Sequence, residues 1–443
     1  MQTLPYELLD WIYSSLDVPL VCRLYAAFPG HQFTVPAGAI ICRTPIQVSH
    51  DVASDSIDFD TLSQLPPCEA QVRLQPLSWL ATADELNRVK PRHLSLVYHD
   101  EEFGIMGQPF WQVADLSRYH GQVHLLTFTD AVVEVERLPR TLAKLHLING
   151  EVHGADKFHE FTQLEELFIH CENRRHQRLA IPPHVTRLRT SFDWMYLDHT
   201  RYNHEPDAVT DIPWHQFKYL HTEVVPKVKR LDNVEEWVIN SPPPAKISLI
   251  DIECPKLERV TIEKGFYLGF LDLSLVFTHQ QMAQLTVLEA PEYIMPDVKL
   301  LPLLRKLAIA TQEKVTEDMA LPPQVEELLL YTDSIVVEGV PSQVKKFAIN
   351  YAQSSHRRSS VNGKITIALC TLHSLAIEGG NFVSFVELCI SCPNLHWLNM
   401  RLKNDRFIVD APELVLVTYQ GNCPHWFDTT QYPRLAHATL VPP

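Results

Sequence analysis

Glycine is scarce in this chain, with 14 among 443 residues, which disfavours the Gly-rich loops that cradle phosphates. No paired dinucleotide glycines, Walker loop, His-Glu-x-x-His or Gly-x-Ser-x-Gly stands in the sequence, so it presents no enzyme motif and no catalytic residue. No run of about 18 uncharged apolar residues occurs, and Met1 to Asp10 carries neither Lys, Arg nor a continuous apolar stretch. A spanning helix and a signal peptide are therefore not expected. Asn-x-Ser/Thr sequons are missing, and the 9 cysteines are an odd number in a long chain. That pattern predicts reduced thiols and a cytoplasmic or nuclear location rather than a disulfide framework. Positive charge is also short: 38 Lys and Arg face 53 Asp and Glu, a net charge of −15. Protein partners are expected before nucleic acid or membrane.

Apolar residues make up 46% of the chain and charged ones 21%, ordinary globular usage that supports a large core. The length suits about three average domains or one elongated repeat array. Proline is abundant at 32, which suggests one turn signal used many times. Self-comparison finds that signal. An apolar residue, two variable ones, an apolar, one variable and an apolar recur, often with Pro two or three residues ahead. Clear copies start at Leu142, Leu164, Val234, Leu257, Leu304, Val325, Val344, Leu372, Leu395 and Leu414, and looser ones at Val185, Phe217, Leu285 and Leu435. Starts from Leu142 to Val185 differ by 22 and 21, and from Leu285 to Val344 by 19, 21 and 19.

Alternation within each copy predicts a strand, with Leu145 and Leu147 inside and Lys144 and His146 pointing out. Proline before the strand suits the bend into it. Intervals of 28 residues before Leu285 and Leu372 leave room for a returning helix, and one is expected, for example, over Phe382 to Ser391. Over about residues 70 to 443 this pattern resembles the leucine-rich-repeat family, and Cys254-Pro255-Lys256-Leu257 and Cys392-Pro393-Asn394-Leu395 look like the Cys-Pro-x-Leu junction of its cysteine-containing subfamily. The resemblance implies an α/β solenoid with a parallel sheet along a concave face. One departure is plain: the Asn or Cys that usually follows the last strand Leu as a buried ladder is missing from most units.

Ahead of the repeats, Leu8, Leu9, Ile12 and Leu16 recur at helical spacing after Pro5. Asp17 is placed to cap a second helix with Pro19 in its first turn and Leu20, Val21 and Leu24 along it, until Phe28-Pro29-Gly30 stops it. The string Leu4-Pro5-x-Glu7-Leu8-Leu9-x-x-Ile12, with Leu16-Asp17 and the second Leu-rich helix, resembles the F-box, which docks onto the Skp-type adaptor of a cullin-RING ubiquitin ligase. By that resemblance Leu4, Pro5, Leu8, Leu9, Ile12, Leu16, Leu20, Val21 and Leu24 form the adaptor-binding surface. The same residues also read as a helical cap closing the end of the solenoid. The expected division is a helical module over residues 1–45, a linker and start of the solenoid cap over 46–68, and an irregular solenoid over 69–443.

A solenoid usually binds macromolecules on its exposed strand positions. Phe168, Arg187, Arg189, Tyr331, Trp397 and Arg401 are the expected target-binding residues, because exposed aromatics and Arg anchor interfaces. Val238 and Leu329 also fall on outward positions. Cys389 and Cys392 form a single CxxC with no second pair, which reads as packed thiols rather than a metal site. The F-box and leucine-rich-repeat resemblance implies a non-catalytic substrate receptor of an SCF-type ligase, without metal or cofactor, whose partners are the adaptor, through it cullin and RING subunits, and an unknown target. A structural F-box subunit, as in a kinetochore, and a plain leucine-rich-repeat scaffold with a helical cap remain open.

Overall fold

The computed structural model describes residues 16–28, 37–38, 41, 46–49, 61–62, 64–66, 69–74, 93–98, 111–112, 115–119, 123–172, 178–191, 212–223, 225–226, 228–240, 249–263, 271–291, 293–294, 297–310, 315–332, 337, 340–351, 364–368, 371–380, 387–402, 407–420 and 431–441. By contact the chain divides into two compact units, Met1–Leu220 and His221–Pro443, a division that no composition shift in the sequence marks. Each is built from short parallel strands stacked as a β-solenoid.

The first described element of the first unit is helix α1 (Val18–Ala27). Asp17 accepts the Leu20 amide at 2.8 Å as its N-cap, and Pro19, whose missing N–H costs nothing there, sits in the first turn, as expected. The strands follow as β1 (Ile46–Ser49), β2 (Glu69–Leu74), β3 (His93–Tyr98), β4 (Trp111–Gln112), β5 (Val123–Glu134), β6 (Lys144–His153), β7 (Glu166–Glu172) and β8 (Arg187–Thr190). β1, β2, β3, β5, β6, β7 and β8 pair in that order, all parallel, so the ladder already begins at Ile46, inside the segment expected as linker and cap. β9 (Tyr219–Thr222) lies at the division.

In the second unit the main ladder runs through β10 (Glu236–Ile239), β11 (Arg259–Ile262), β13 (Val287–Ala290), β15 (Lys306–Ala310), β16 (Glu327–Thr332), β17 (Lys346–Tyr351), β19 (Ser374–Gly380), β21 (Trp397–Leu402), β23 (Leu416–Gln420) and β24 (His437–Val441). Return segments carry strands of their own. β12 (Leu271–Asp272) pairs with β14 (Tyr293–Ile294), and β18 (Lys364–Ala368), β20 (Glu387–Ser391) and β22 (Phe407–Asp410) form a second parallel sheet. The helix expected over Phe382–Ser391 is therefore corrected: Glu387–Ser391 is strand β20. A unit of this length has too few return residues for a long helix, and Ile365, Thr366 and Ile367 are strand formers that give β20 a ladder to extend. The longer interval before Leu285 does hold a helix, His279–Gln284.

The repeat's apolar triplets form the core. Leu142, Leu145 and Leu147, then Leu164, Leu167 and Ile169, are buried in register in the first unit, as are Leu304, Leu307 and Ile309, then Val344, Phe347 and Ile349, in the second. Burying each such side chain is worth about 1.5–3 kcal/mol, and one unit alone leaves its neighbour-facing edge wet. Proline sets the turn before the strand. In Cys254-Pro255, Leu301-Pro302, Cys392-Pro393 and Ala411-Pro412, the carbonyl of the first residue accepts the amide three residues on, at 3.0–3.3 Å, and Pro fixes φ at the second position.

Glutamine does the work of the missing Asn ladder. Gln216 Nε2 donates to the carbonyls of Pro182 (2.8 Å) and Val185 (2.9 Å), Gln284 Nε2 to Cys254 (2.7 Å), and Gln343 Nε2 to Pro322 (3.3 Å), each about one repeat earlier. Gln281 is the most enclosed. Its Nε2 donates to Leu249 and Ile252, both at 2.9 Å, while its Oε1 accepts the Thr278 amide at 2.7 Å in a capping box. Gln281→Glu keeps the box acceptor but points a buried carboxylate at two carbonyls. We expect a loss of about 1–3 kcal/mol, read as a lowered thermal midpoint and faster amide exchange around Leu249–Ile252.

Gly150 marks a bend in β6. Asn149 adopts φ 47°, and a Cβ on Gly150 would lie 2.3 Å from the Ala131 carbonyl oxygen on β5. That neighbour is backbone and cannot swing away. Gly150→Ala is expected to lower the thermal midpoint by several degrees and to raise amide exchange in β5 and β6 first; an unchanged melt contradicts this packing.

Candidate functional site

The strand alternation leaves one side chain in two on the face away from the core. Across the first unit, pairing brings Leu125, Lys144, Glu166 and Arg187 into one row and Thr127, His146, Phe168 and Arg189 into the next. Tyr219 joins the first row, because its amide and that of Lys218 both donate to Thr186, at 3.2 and 2.8 Å.

Three rings form a ledge on this face. The His146 and Phe168 rings stack with centroids 4.3 Å apart and planes at 12°, and Tyr219 approaches Phe168 to 6.1 Å. Arg187 closes the row by lying over Tyr219, its guanidinium carbon 4.2 Å from the ring centroid. Beneath them Glu166 has a side chain only 9% exposed, accepts Arg187 Nε at 2.8 Å and meets His146 Nε2 at 2.7 Å. Burial pushes the Glu166 carboxyl up, but the hydrogen bond and charge of His146, with Lys144 and Arg187 nearby, outweigh it and hold the carboxyl below its ordinary range.

Sequence alternation placed Phe168, Arg187 and Arg189 on this face, and there they are. Their roles differ. Arg187 is committed to Glu166 and Tyr219 inside the chain, whereas Arg189 and Lys144 make no ion pair among the described residues. His146, expected to point out, does so, and Glu166 and Tyr219, which the sequence did not mark as binding residues, complete the site. The Glu-Arg pairing between neighbouring strands, 21 residues apart, was the available signal for Glu166.

In the second unit Tyr331, Trp397 and Arg401 also lie on the face away from the core, Tyr331 and Trp397 half-buried and Arg401 exposed. Burial pushes the Tyr331 hydroxyl up, with Glu289 and Glu378 adding to it. Trp397 and Arg401 sit on β21, four residues apart, and Tyr331 on β16, so these three lie on two strands with β17 and β19 between them. The lysines of this face are already matched: Lys346 pairs with Glu327 at 2.5 Å, and Lys306 with Glu289. Val238, expected outward and available, is buried at 8% exposure, and Leu329 is half-buried.

On α1, Leu20 is 39% exposed and Leu24 half-exposed, while Val21 is buried. Leu16 is half-buried. Leu4, Pro5, Leu8, Leu9 and Ile12 lie outside the described residues. Cys392 is buried and its Sγ donates to the Ile367 carbonyl at 3.7 Å; Cys389 lies on β20. The Cys254 thiol is pushed up to about 12 by burial, which keeps it protonated and packed. Comparison with protein-family models and with curated proteins gives no match.

Because the Glu166 carboxyl is held down in the folded chain, its contribution is present above the unfolded carboxylate pKa and is lost as pH falls through the folded value. Amide exchange across β6–β8 is expected to quicken as pH is lowered below the ordinary carboxylate range, beyond the intrinsic pH trend. Glu166→Gln should flatten that acid limb; an identical limb in the variant removes Glu166 as its source.

Proposed function

We propose that this chain is an F-box and leucine-rich-repeat protein, the substrate-recognition subunit of an SCF-type ubiquitin ligase. The amino-terminal helices hold the Skp-type adaptor, and the outward strand faces hold a target protein. Ubiquitin transfer then becomes a matter of proximity between the target and an E2 carried by the cullin and RING subunits. The chain itself supplies no catalytic group in this reading.

The observation that carries the reading is the order of parts. Leu4-Pro5-x-Glu7-Leu8-Leu9-x-x-Ile12 precedes a helix capped by Asp17, with Leu20 exposed on it, and parallel strands stacked on Leu-x-x-Leu-x-Leu units follow. An exposed leucine on a short helix, following apolar residues at helical spacing in the sequence, suits docking by helix packing. The ring ledge and its cations supply residue types that anchor protein interfaces.

Leu8→Asp combined with Ile12→Asp is expected to abolish copurification with the Skp-type adaptor while leaving the strand stack folded, as judged by far-UV circular dichroism and the thermal midpoint. Retained adaptor with a charged stripe overturns the docking assignment.

A further inference from the structure

We propose that the outward face of β6 to β8, with Tyr219, recognises an extended acidic segment of a partner protein in which one apolar or aromatic side chain stands between two carboxylates. The inference deepens the target-receptor reading and rests on it for the partner's identity as a target. Charge carries the first step. Within the two rows that carry the ring ledge, Lys144, Arg187 and Arg189 are cationic and Glu166 is the one anion, in a chain of net charge −15. Glu166 is 9% exposed and turned onto His146 and Arg187, so what these two rows present to solvent is basic, while Glu151, farther along β6, meets His153. The second unit differs, since Lys306 and Lys346 are matched there by Glu289 and Glu327.

Geometry carries the second step. Arg187 is held by Glu166 and by the Tyr219 ring, which leaves Lys144 and Arg189 as cations without an ion pair among the described residues. They flank Phe168 from opposite sides: Arg189 is its direct partner on β8, and Lys144 stands on β6 opposite Glu166. With strands about 4.8 Å apart and a rise of about 3.3 Å per residue, their Cα atoms are roughly 12 Å apart. An extended segment covers that distance in about four residues, and its side chains at i, i+2 and i+4 share one face. Acid, apolar, acid at those positions places a carboxylate at each cation and the central side chain against the His146–Phe168 stack. Stacked rings and unpaired Arg are the groups that fix such a segment, and the charges steer it in.

Fluorescence anisotropy on the full chain tests this with three labelled peptides: Glu-Ser-Phe-Ser-Glu, its Lys-Ser-Phe-Ser-Lys counterpart, and Glu-Ser-Ser-Ser-Glu, each flanked by serines. The first should bind best, weaken as salt rises, and weaken by about tenfold or more in Lys144→Glu with Arg189→Glu. Lys144→Gln with Arg189→Gln, a milder pair, should lose part of that affinity with an unaltered thermal midpoint. Equal binding of the acidic and basic peptides, no binding of the first, indifference to both double variants, or full competition by inorganic phosphate overturns the inference. Adaptor copurification is measured on the same variants. Retained adaptor with lost peptide selectivity in the wild-type chain sinks this inference alone, whereas selective peptide binding without any adaptor sinks the ligase reading alone.

Discussion

Every strand here has one apolar side that nothing within its own repeat can cover. A unit of 19 to 22 residues offers three inward side chains, such as Leu142, Leu145 and Leu147, and gains their burial only when the next unit presents Leu164, Leu167 and Ile169 in the same register. Register is therefore not free, because a slip of one residue would turn Lys144 and His146 into the core. Backbone groups enforce it as well. The Ala143 carbonyl accepts the amides of both Glu165 and Glu166, and Glu165 in turn accepts those of Thr186 and Arg187.

Stacking creates a second demand at the turns, where carbonyls would otherwise be buried unpaired. Proline answers the conformational half by fixing the turn, and glutamine answers the hydrogen-bond half by reaching back about one repeat. Gln216, Gln281, Gln284 and Gln343 are long enough to arrive from irregularly spaced positions. That tolerance fits a chain whose repeats vary in length. A short Asn at a fixed strand position needs a regular period, which this sequence lacks.

The same register builds the ledge. Lys144, Glu166, Arg187 and Tyr219 come from separate repeats and meet only because their strands align, and so do His146, Phe168 and Arg189. A buried carboxylate paired with His146 and Arg187 ties the ledge together and takes Arg187 out of circulation. What remains available is set by subtraction, leaving Lys144 and Arg189 on either side of Phe168.

Local pattern sufficed for much of this. Period-two alternation gave the strands, their inward leucines and the outward placement of Phe168, Arg187, Arg189, Tyr331, Trp397 and Arg401, and the Asp17 to Pro19 signal located the α1 start, because these depend on residues close in sequence. Whether an outward side chain is accessible, as Phe168 is in part and Val238 is not, depends on what neighbouring repeats lay against it. The same holds for Glu387–Ser391, which is a strand because β18 and β22 lie beside it, and for Arg187, whose partners come from one strand before and one after. The sequence by itself determined the period and the polarity of each strand. Only the tertiary structure decided which outward charges cancel, since that is a matter of distances between repeats about 20 residues apart.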